Sequence, residues 1–276
     1  MARGISLHIG LNYVDPNHYS GWDGKLNACE FDASDMELIA NSCGFNSTKL
    51  LREQATREKV FSFIENVSSE LKSGDIFLVT YSGHGGQVPD YNSDEKEDGL
   101  DETWCLYDGE FIDDELRYLW TLFEEGVRVL VFSDSCHSGT VIKEIGDENQ
   151  ILRRSDEFSQ WSIKSIPDEV SSRNFFRNID FYEGISSKMA KFKGKEIKAS
   201  VKLISGCQDN QYSYDGRFNG QFTGRLKTVW NRGAFNGSYK KFHKEIAGRL
   251  PEYQSPNYLN IGKLDLEFNK QKPFQI

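Results

Sequence analysis

Two stretches of this chain are apolar almost without interruption and then end on reactive side chains. Residues 76–87 read IFLVTYSGHGGQ, and residues 129–139 read VLVFSDSCHSG. Short runs rich in Val, Ile, Phe and Tyr predict strands buried on both faces. A third β-prone run opens the chain at 4–14 (GISLHIGLNYV), and a fourth follows at 200–207 (SVKLISGC). Between them the apolar spacing changes to helical. Residues 27–45 end near Gly44, residues 56–75 start at Thr56 as N-cap and close at Gly74, and residues 113–126 start on acids that suit a helix N-terminus. The C-terminal part predicts helices at 221–230 and 238–250 and a last extended piece at 255–262.

Strands separated by helices predict an α/β domain with a mostly parallel sheet and helices on both faces. In such sheets, binding groups collect beyond the carboxyl ends of the strands. The tips bearing His84 and Cys136 both lie there. Two regions break the pattern. Residues 90–115 carry twelve acids and the single base Lys96, and read as an exposed acidic excursion. Residues 144–199 hold ten Lys or Arg and no clean strand, and read as an insertion or connector with some helix, notably around NFFRNIDFYEGISSKMAKF.

Composition narrows the function class. A net charge of −9 over 276 residues argues against a general nucleic-acid binder and leaves room for basic ligands. The five cysteines form no CxxC pair, which with no apolar leader in MARGISLHIG points to free thiols and a cytoplasmic location. No window has the roughly 18 consecutive apolar residues of a membrane span.

The chemistry at the two tips is that of a thiol peptidase. Cys136 supplies a nucleophile, His84 a base and proton carrier, and the backbone N–H groups of Gly85 and Cys136 an oxyanion site. A neighbouring imidazolium would favour the thiolate. His137 is the rival base, but adjacent side chains on an extended chain point to opposite faces. Cys29, Cys43, Cys105 and Cys207 read as small structural side chains, as do His8, His18 and His243.

YSGHGGQ (81–87) followed by DSCHSG (134–139) resembles the caspase-like cysteine peptidases, in particular their metacaspase and orthocaspase branch. The resemblance extends through LNACEFDASDM, DGLDETWCLYDG, IDDEL, ISGCQDNQYSYDG, SYKKFHKEI, QSPNYLNIG and PFQI, most of the chain. It implies a caspase/hemoglobinase fold with a mostly parallel six-stranded sheet. It also implies a large-subunit-like portion over 1–150, a connector over 151–199 and a small-subunit-like portion over 200–276, all in one composite domain. The implied activity is a cysteine endopeptidase that cuts protein or peptide substrates after Arg or Lys through the dyad His84 and Cys136. The implied S1 pocket has Asp32, Ser82 and Asp134, with Asp209 and Gln211 near it. Asp134 and Cys136 are two residues apart, so on an extended chain they share a face.

No cofactor is required for this chemistry. Calcium as an activator is implied by Asp101, Asp113 and Asp114, three acids of a family cluster whose fourth position is Lys143 here, beside Glu144. Basic residues of the connector, among them Arg153, Arg154, Lys164 and Arg173, are sites where an enzyme selecting Arg or Lys could cut itself. Monomer is the expected state, with no nucleic-acid or membrane partner. Two other readings stay open: a non-catalytic caspase-like scaffold or regulatory protein, and a cysteine peptidase with another P1 preference.

Overall fold

The computed structural model describes residues 1–90, 99–136, 161–208 and 211–276. Its centre is a six-stranded sheet in the order β11-β9-β7-β3-β1-β2. These strands are β1 (Gly4–Gly10), β2 (Asn46–Leu51), β3 (Ile76–Ser82), β7 (Arg128–Asp134), β9 (Ser200–Ser205) and β11 (Asn257–Gly262). All neighbours run parallel except β11, which pairs antiparallel with β9. The caspase/hemoglobinase α/β architecture expected from the sequence is the one observed.

The two-residue period of the strands divides the core. On β3, Phe77, Val79 and Tyr81 join one apolar cluster, while Ile76 and Leu78 join the other. On β7, Val129 and Val131 go to the first cluster, Leu130 and Phe132 to the second. Helices α2 (Arg57–Glu70) and α3 (Asp113–Trp120) cover the first face through Val60, Ile64, Val67, Leu119 and Trp120. Helices α1 (Cys29–Ser42), α6 (Gln221–Trp230), α7 (Tyr239–Ala247) and α8 (Leu266–Lys270) cover the second. By the same alternation Ser82 and Asp134, neighbours in register at the carboxyl ends of β3 and β7, face the side of α1 and α6.

The acidic region departs from its sequence reading. Residues 91–98 lie outside the described part, but β5 (Leu100–Leu106) and β6 (Gly109–Ile112) are mostly buried strands rather than an exposed excursion. With β4 (Gly85–Pro89) they form a separate antiparallel sheet in the order β4-β5-β6. Asp101, Glu110 and Glu115 are buried, and a count of acids conceals this because Trp104, Cys105, Leu106, Phe111 and Ile112 carry the packing. Glu115 is held by Arg57, whose guanidinium donates to both its carboxylate oxygens at 2.7 and 2.9 Å.

The basic region also holds more than a linker. Beyond residue 160 it forms the short β8 (Ser162–Ile163) and helices α4 (Asp168–Arg177) and α5 (Ile179–Met189). Phe175 and Tyr182 of these helices pack on Val88 and Ile112 of the small sheet. Asn174 Nδ2 donates to Glu110 Oε1 at 3.0 Å, tying the helices to β6. The β8 strand pairs antiparallel with β10 (Tyr214–Asp215).

Candidate active site

The loop after β3 turns at Gly83 and carries His84, and the strand end of β7 leads into Cys136. Both residues are buried. His84 Nε2 lies 3.0 Å from the carbonyl oxygen of Gly24. A carbonyl only accepts, so Nε2 carries the proton and Nδ1 holds the lone pair. That Nδ1 is buried and has no hydrogen-bond partner among the described residues. Burial is the main cause that pushes the imidazole down to about 4, with the Lys164 charge adding to it; the backbones of Gly24 and Ser165 oppose the shift. A neutral ring with a free Nδ1 is equipped to take a proton from a thiol. The Trp22 ring packs on it at 4.7 Å between centroids.

Gly24 was not legible as a participant, because its contribution is a backbone carbonyl. Its φ of +59° is in the left-handed region that glycine enters without strain.

Cys136 Sγ is held by the backbone of Ser213. The thiol donates to the Ser213 carbonyl at 3.2 Å, and the Ser213 N–H donates to Sγ. Ser213 also sends its hydroxyl to Asp134 Oδ1 at 2.6 Å. Strand β7 ends at Asp134 and Cys136 lies beyond it; Ser213 engages both, Asp134 through its hydroxyl and Cys136 through its backbone.

Asp134 and Asp32 face each other across a narrow buried pocket. Asp134 Oδ2 accepts from the Thr223 N–H at 3.0 Å and from its hydroxyl at 2.6 Å, in the first turn of α6. That helix end favours a negative charge. Asp32, near the start of α1, accepts from the Gly220 N–H, from Asn219 Nδ2 at 2.9 Å and from Ser82 Oγ at 2.7 Å. A Cβ on Gly220 would land on Asp134 Oδ2 and 2.9 Å from Asp32 Oδ2, so the backbone approaches the carboxylates only as glycine. Ser213, Asn219, Gly220 and Thr223 escaped the sequence reading because each lies in or beside a polar loop whose partners are distant in the chain.

The pocket is filled by the chain itself. Lys164 is fully buried, with Nζ 3.1 Å from Asp32 Oδ2, 3.3 Å from Asp134 Oδ1 and 2.9 Å from Ser82 Oγ. Burial disfavours its charge, but Asp134, Cys29, Asp32 and Asp215 outweigh burial and hold the ammonium well above its usual range. Burial pushes Asp32 up to about 6, against the pull of Lys164 and with the Asp134 charge adding to the rise. The Lys164 carbonyl oxygen accepts from the Gly85 N–H and the Cys136 N–H, each at 3.0 Å. The Lys164 N–H donates to the Ser213 carbonyl at 3.0 Å, and the Ile166 N–H to the Gly85 carbonyl at 2.9 Å.

The other expected residues fall as follows. Gln211 spends its amide on Ser255, donating from Nε2 to Oγ and accepting the Ser255 N–H at Oε1. Asp209, His137, Lys143, Glu144, Arg153 and Arg154 lie outside the described residues. Asp101 is on β5, and Asp113 and Asp114 open α3. Among the described residues no group of three or more His, Cys, Asp or Glu is placed to hold a metal ion. Among the described residues no helix is long and apolar enough to cross a membrane.

Comparison with known proteins bears on the family and the fold. Residues 13–273 match the family model described as the caspase domain. Metacaspase-1 of Saccharomyces cerevisiae is 26% identical over 306 residues, covering 94% of this chain and 68% of the relative. Metacaspase-1 of Schizosaccharomyces pombe is 28% identical over 251 residues, covering 80% of this chain and 57% of the relative. A crystal structure of a Geobacter sulfurreducens protein superposes with a TM-score of 0.87 at 50% identity, over 99% of this chain and 98% of that one. Caspase-1 from Spodoptera frugiperda shares the fold at a TM-score of 0.58 and 13% identity, over 95% of this chain and 86% of that one. With the family model spanning nearly the whole chain, the protein belongs to the caspase-domain cysteine peptidases and is related to the metacaspases.

Proposed function

We propose that this chain is an endopeptidase that cleaves after Lys or Arg, with Cys136 as nucleophile and His84 as base and acid. One observation carries the reading. A lysine side chain lies between two buried carboxylates while its own carbonyl oxygen sits on the N–H groups of Gly85 and Cys136. A substrate residue in S1 would be bound in just this way, its charge in the pocket and its carbonyl polarised toward attack. An Arg guanidinium would meet the same carboxylates and can do so bidentately.

The reaction follows from the atoms present. His84 Nδ1 takes the thiol proton and Sγ adds to the carbonyl carbon. The oxygen becomes an oxyanion held by the two N–H groups. His84 returns the proton to the leaving nitrogen as the C–N bond breaks, leaving a thioester on Cys136. Water, deprotonated by His84, releases the acid and restores the thiol. The Gly24 carbonyl keeps the Nε2–H tautomer through the cycle. No step uses a metal.

Matched fluorogenic peptides ending in Arg, Lys or Asp test the proposal, with wild type, Cys136→Ala and Lys164→Ala, in calcium and in chelator. Cleavage after Arg and Lys but not Asp, lost in Cys136→Ala, is the expected result. Equal cleavage after Asp, or activity that survives Cys136→Ala, overturns it.

A further inference from the structure

Resting on that reading, we infer that Tyr81 is a positioning residue for the reaction, its hydroxyl holding the peptide whose N–H stabilises the oxyanion. The Gly85 N–H belongs to the same peptide plane as the His84 carbonyl. That carbonyl oxygen accepts from the Tyr81 hydroxyl at 2.6 Å and from the Cys105 N–H at 2.9 Å. The phenol has one proton to give, and the Cys105 carbonyl, at 3.1 Å, is the more distant acceptor. Tyr81 is buried, and burial pushes its hydroxyl well above the usual tyrosine range, so it stays protonated and donates.

Holding this peptide matters because three of the four residues 83–86 are glycine. A peptide flanked by glycine can turn over at little steric cost, which would carry the Gly85 N–H away from the site. Two donors on the carbonyl oppose that turn. They also polarise the peptide, which makes its N–H a better donor to a developing charge. Gly83 is fitted to the arrangement, since a Cβ there would stand 2.5 Å from the Tyr81 hydroxyl oxygen. The Tyr81 ring is set in turn by Trp104, stacked on it at 4.7 Å between centroids and 9° between planes. Trp104 Nε1 donates to Ser133 Oγ at 3.0 Å, and that oxygen meets Ser135 Oγ at 2.9 Å, next to Cys136 in the chain. The other oxyanion peptide has a weaker version of the same device. The Cys136 N–H shares its plane with the Ser135 carbonyl, which accepts from the Cys207 thiol at 3.4 Å. A thiol is the weaker donor, so of the two side chains Tyr81 gives the firmer hold.

Tyr81→Phe tests this, because it keeps the ring on Trp104 and removes only the hydroxyl. The measurements are kcat and KM with an Arg-ended fluorogenic peptide, affinity for the matching peptide aldehyde, and the rate at which iodoacetamide alkylates Cys136. The thiol adds to the aldehyde carbon and places its oxygen in the oxyanion site, whereas alkylation needs the thiol and His84 but no oxyanion. The variant is expected to lose about tenfold in kcat and in aldehyde affinity, less than the roughly 10²–10³ of losing an oxyanion donor outright. KM and the alkylation rate should stay within about twofold of wild type. Cys207→Ala should cost less than Tyr81→Phe. An unchanged kcat, a kcat loss without a loss of aldehyde affinity, or an alkylation rate that falls in step overturns the inference and leaves the proposed function standing. A greater loss from Cys207→Ala does the same. Should Tyr81→Phe not fold, Gly83→Ala presses on the same hydroxyl and should lower kcat and aldehyde affinity together; a kcat at the wild-type level overturns the inference. Wild type with no Cys136-dependent hydrolysis of any basic peptide overturns the proposed function itself, and the inference with it.

Discussion

Two lysines among the described residues are almost entirely buried, and they are kept in opposite ways. Lys164 lies between Asp32 and Asp134. Lys202, on β9, meets neutral partners instead: the side-chain oxygens of Asn260, at 2.7 Å, and Asn269, with its ammonium 4.4 Å from the Phe268 ring centre. The consequence appears in their charges. The carboxylates around Lys164 outweigh burial, whereas burial brings Lys202 down to about 8 against only the Asp265 charge. Amide oxygens and an aromatic face can accommodate an ammonium that is part of the fold. Two carboxylates in a narrow pocket are a different device. With both ionised they carry more negative charge than one lysine neutralises, and each is held by donors that would remain when the lysine left. Thr223, Ser213, Asn219 and Gly220 hold the acids, not the lysine. The pocket is built around its carboxylates and accepts a cation; the Lys202 site is built around its cation.

The comparison breaks most visibly if an acid is removed. Asp134→Ala should destabilise the intact chain by about 3–5 kcal/mol, because it leaves the Lys164 ammonium buried with one counter-charge fewer. Urea unfolding at neutral pH measures this. Adding Lys164→Ala to the same chain should recover a large part of the loss, since the orphaned charge goes with it. A double variant no more stable than Asp134→Ala would mean that the acid is structural in its own right.

A third buried base sharpens the point through pH. His8 on β1 resembles Lys202 in having neutral partners, Thr80 Oγ1 and Ser6 Oγ, each at 2.9 Å. Burial first, then the Lys49 charge, lower it from 6.5 to about 3. The unfolded chain therefore takes up this proton before the folded one does. Its contribution to stability is complete above the usual histidine range and is lost as pH falls from about 6.5 toward 3. Between pH 7 and pH 4 the loss is roughly 3 kcal/mol. Replacing His8 with Gln should remove that part of the slope, read as the difference between wild-type and variant stabilities at the two pH values. The difference isolates His8 from Asp32, whose raised value works in the opposite sense over the same range. An unchanged slope would show that His8 is not the group being titrated.

What the sequence makes legible here follows from how locally each feature is encoded. The runs ending at Ser82 and Asp134 are apolar on both faces because the central strands are covered on both, so their polar ends stand out at once. Thr56 as a cap is legible for the same reason: its hydroxyl accepts the N–H of Lys59, three residues away. The pocket acids are harder. Asp32 sits in an ordinary helix start, and only the family resemblance singles it out from its neighbours. Lys164 is harder still, one base among ten in a stretch without periodicity, and its partners lie 132 and 30 residues earlier in the chain. The acidic stretch misleads because charge counts describe composition, whereas burial of β5 and β6 is set by a few large apolar side chains. Gly24 contributes a carbonyl, which no residue type advertises.

The smallest expected effect is also the sharpest control. Lys202→Met keeps the aliphatic stem against Phe268 and removes the charge. It leaves the oxygens of Asn260 and Asn269 without their donor, but Asn260 is exposed and Asn269 half-buried, so both have access to water. Removing a cation that has no carboxylate partner spares its desolvation, which offsets the two lost hydrogen bonds. Stability at neutral pH should then stay within about 1 kcal/mol of wild type, an ordinary value for an isosteric change of this kind. Hydrolysis of basic peptides should be unaffected, because Lys202 pairs in register with Leu130, four residues before Asp134 at the carboxyl end of β7. A loss as large as that from Asp134→Ala would mean that an ammonium can be as firmly demanded by amides as by carboxylates. Burial of a lysine would then say nothing about whether its site is meant to exchange its occupant.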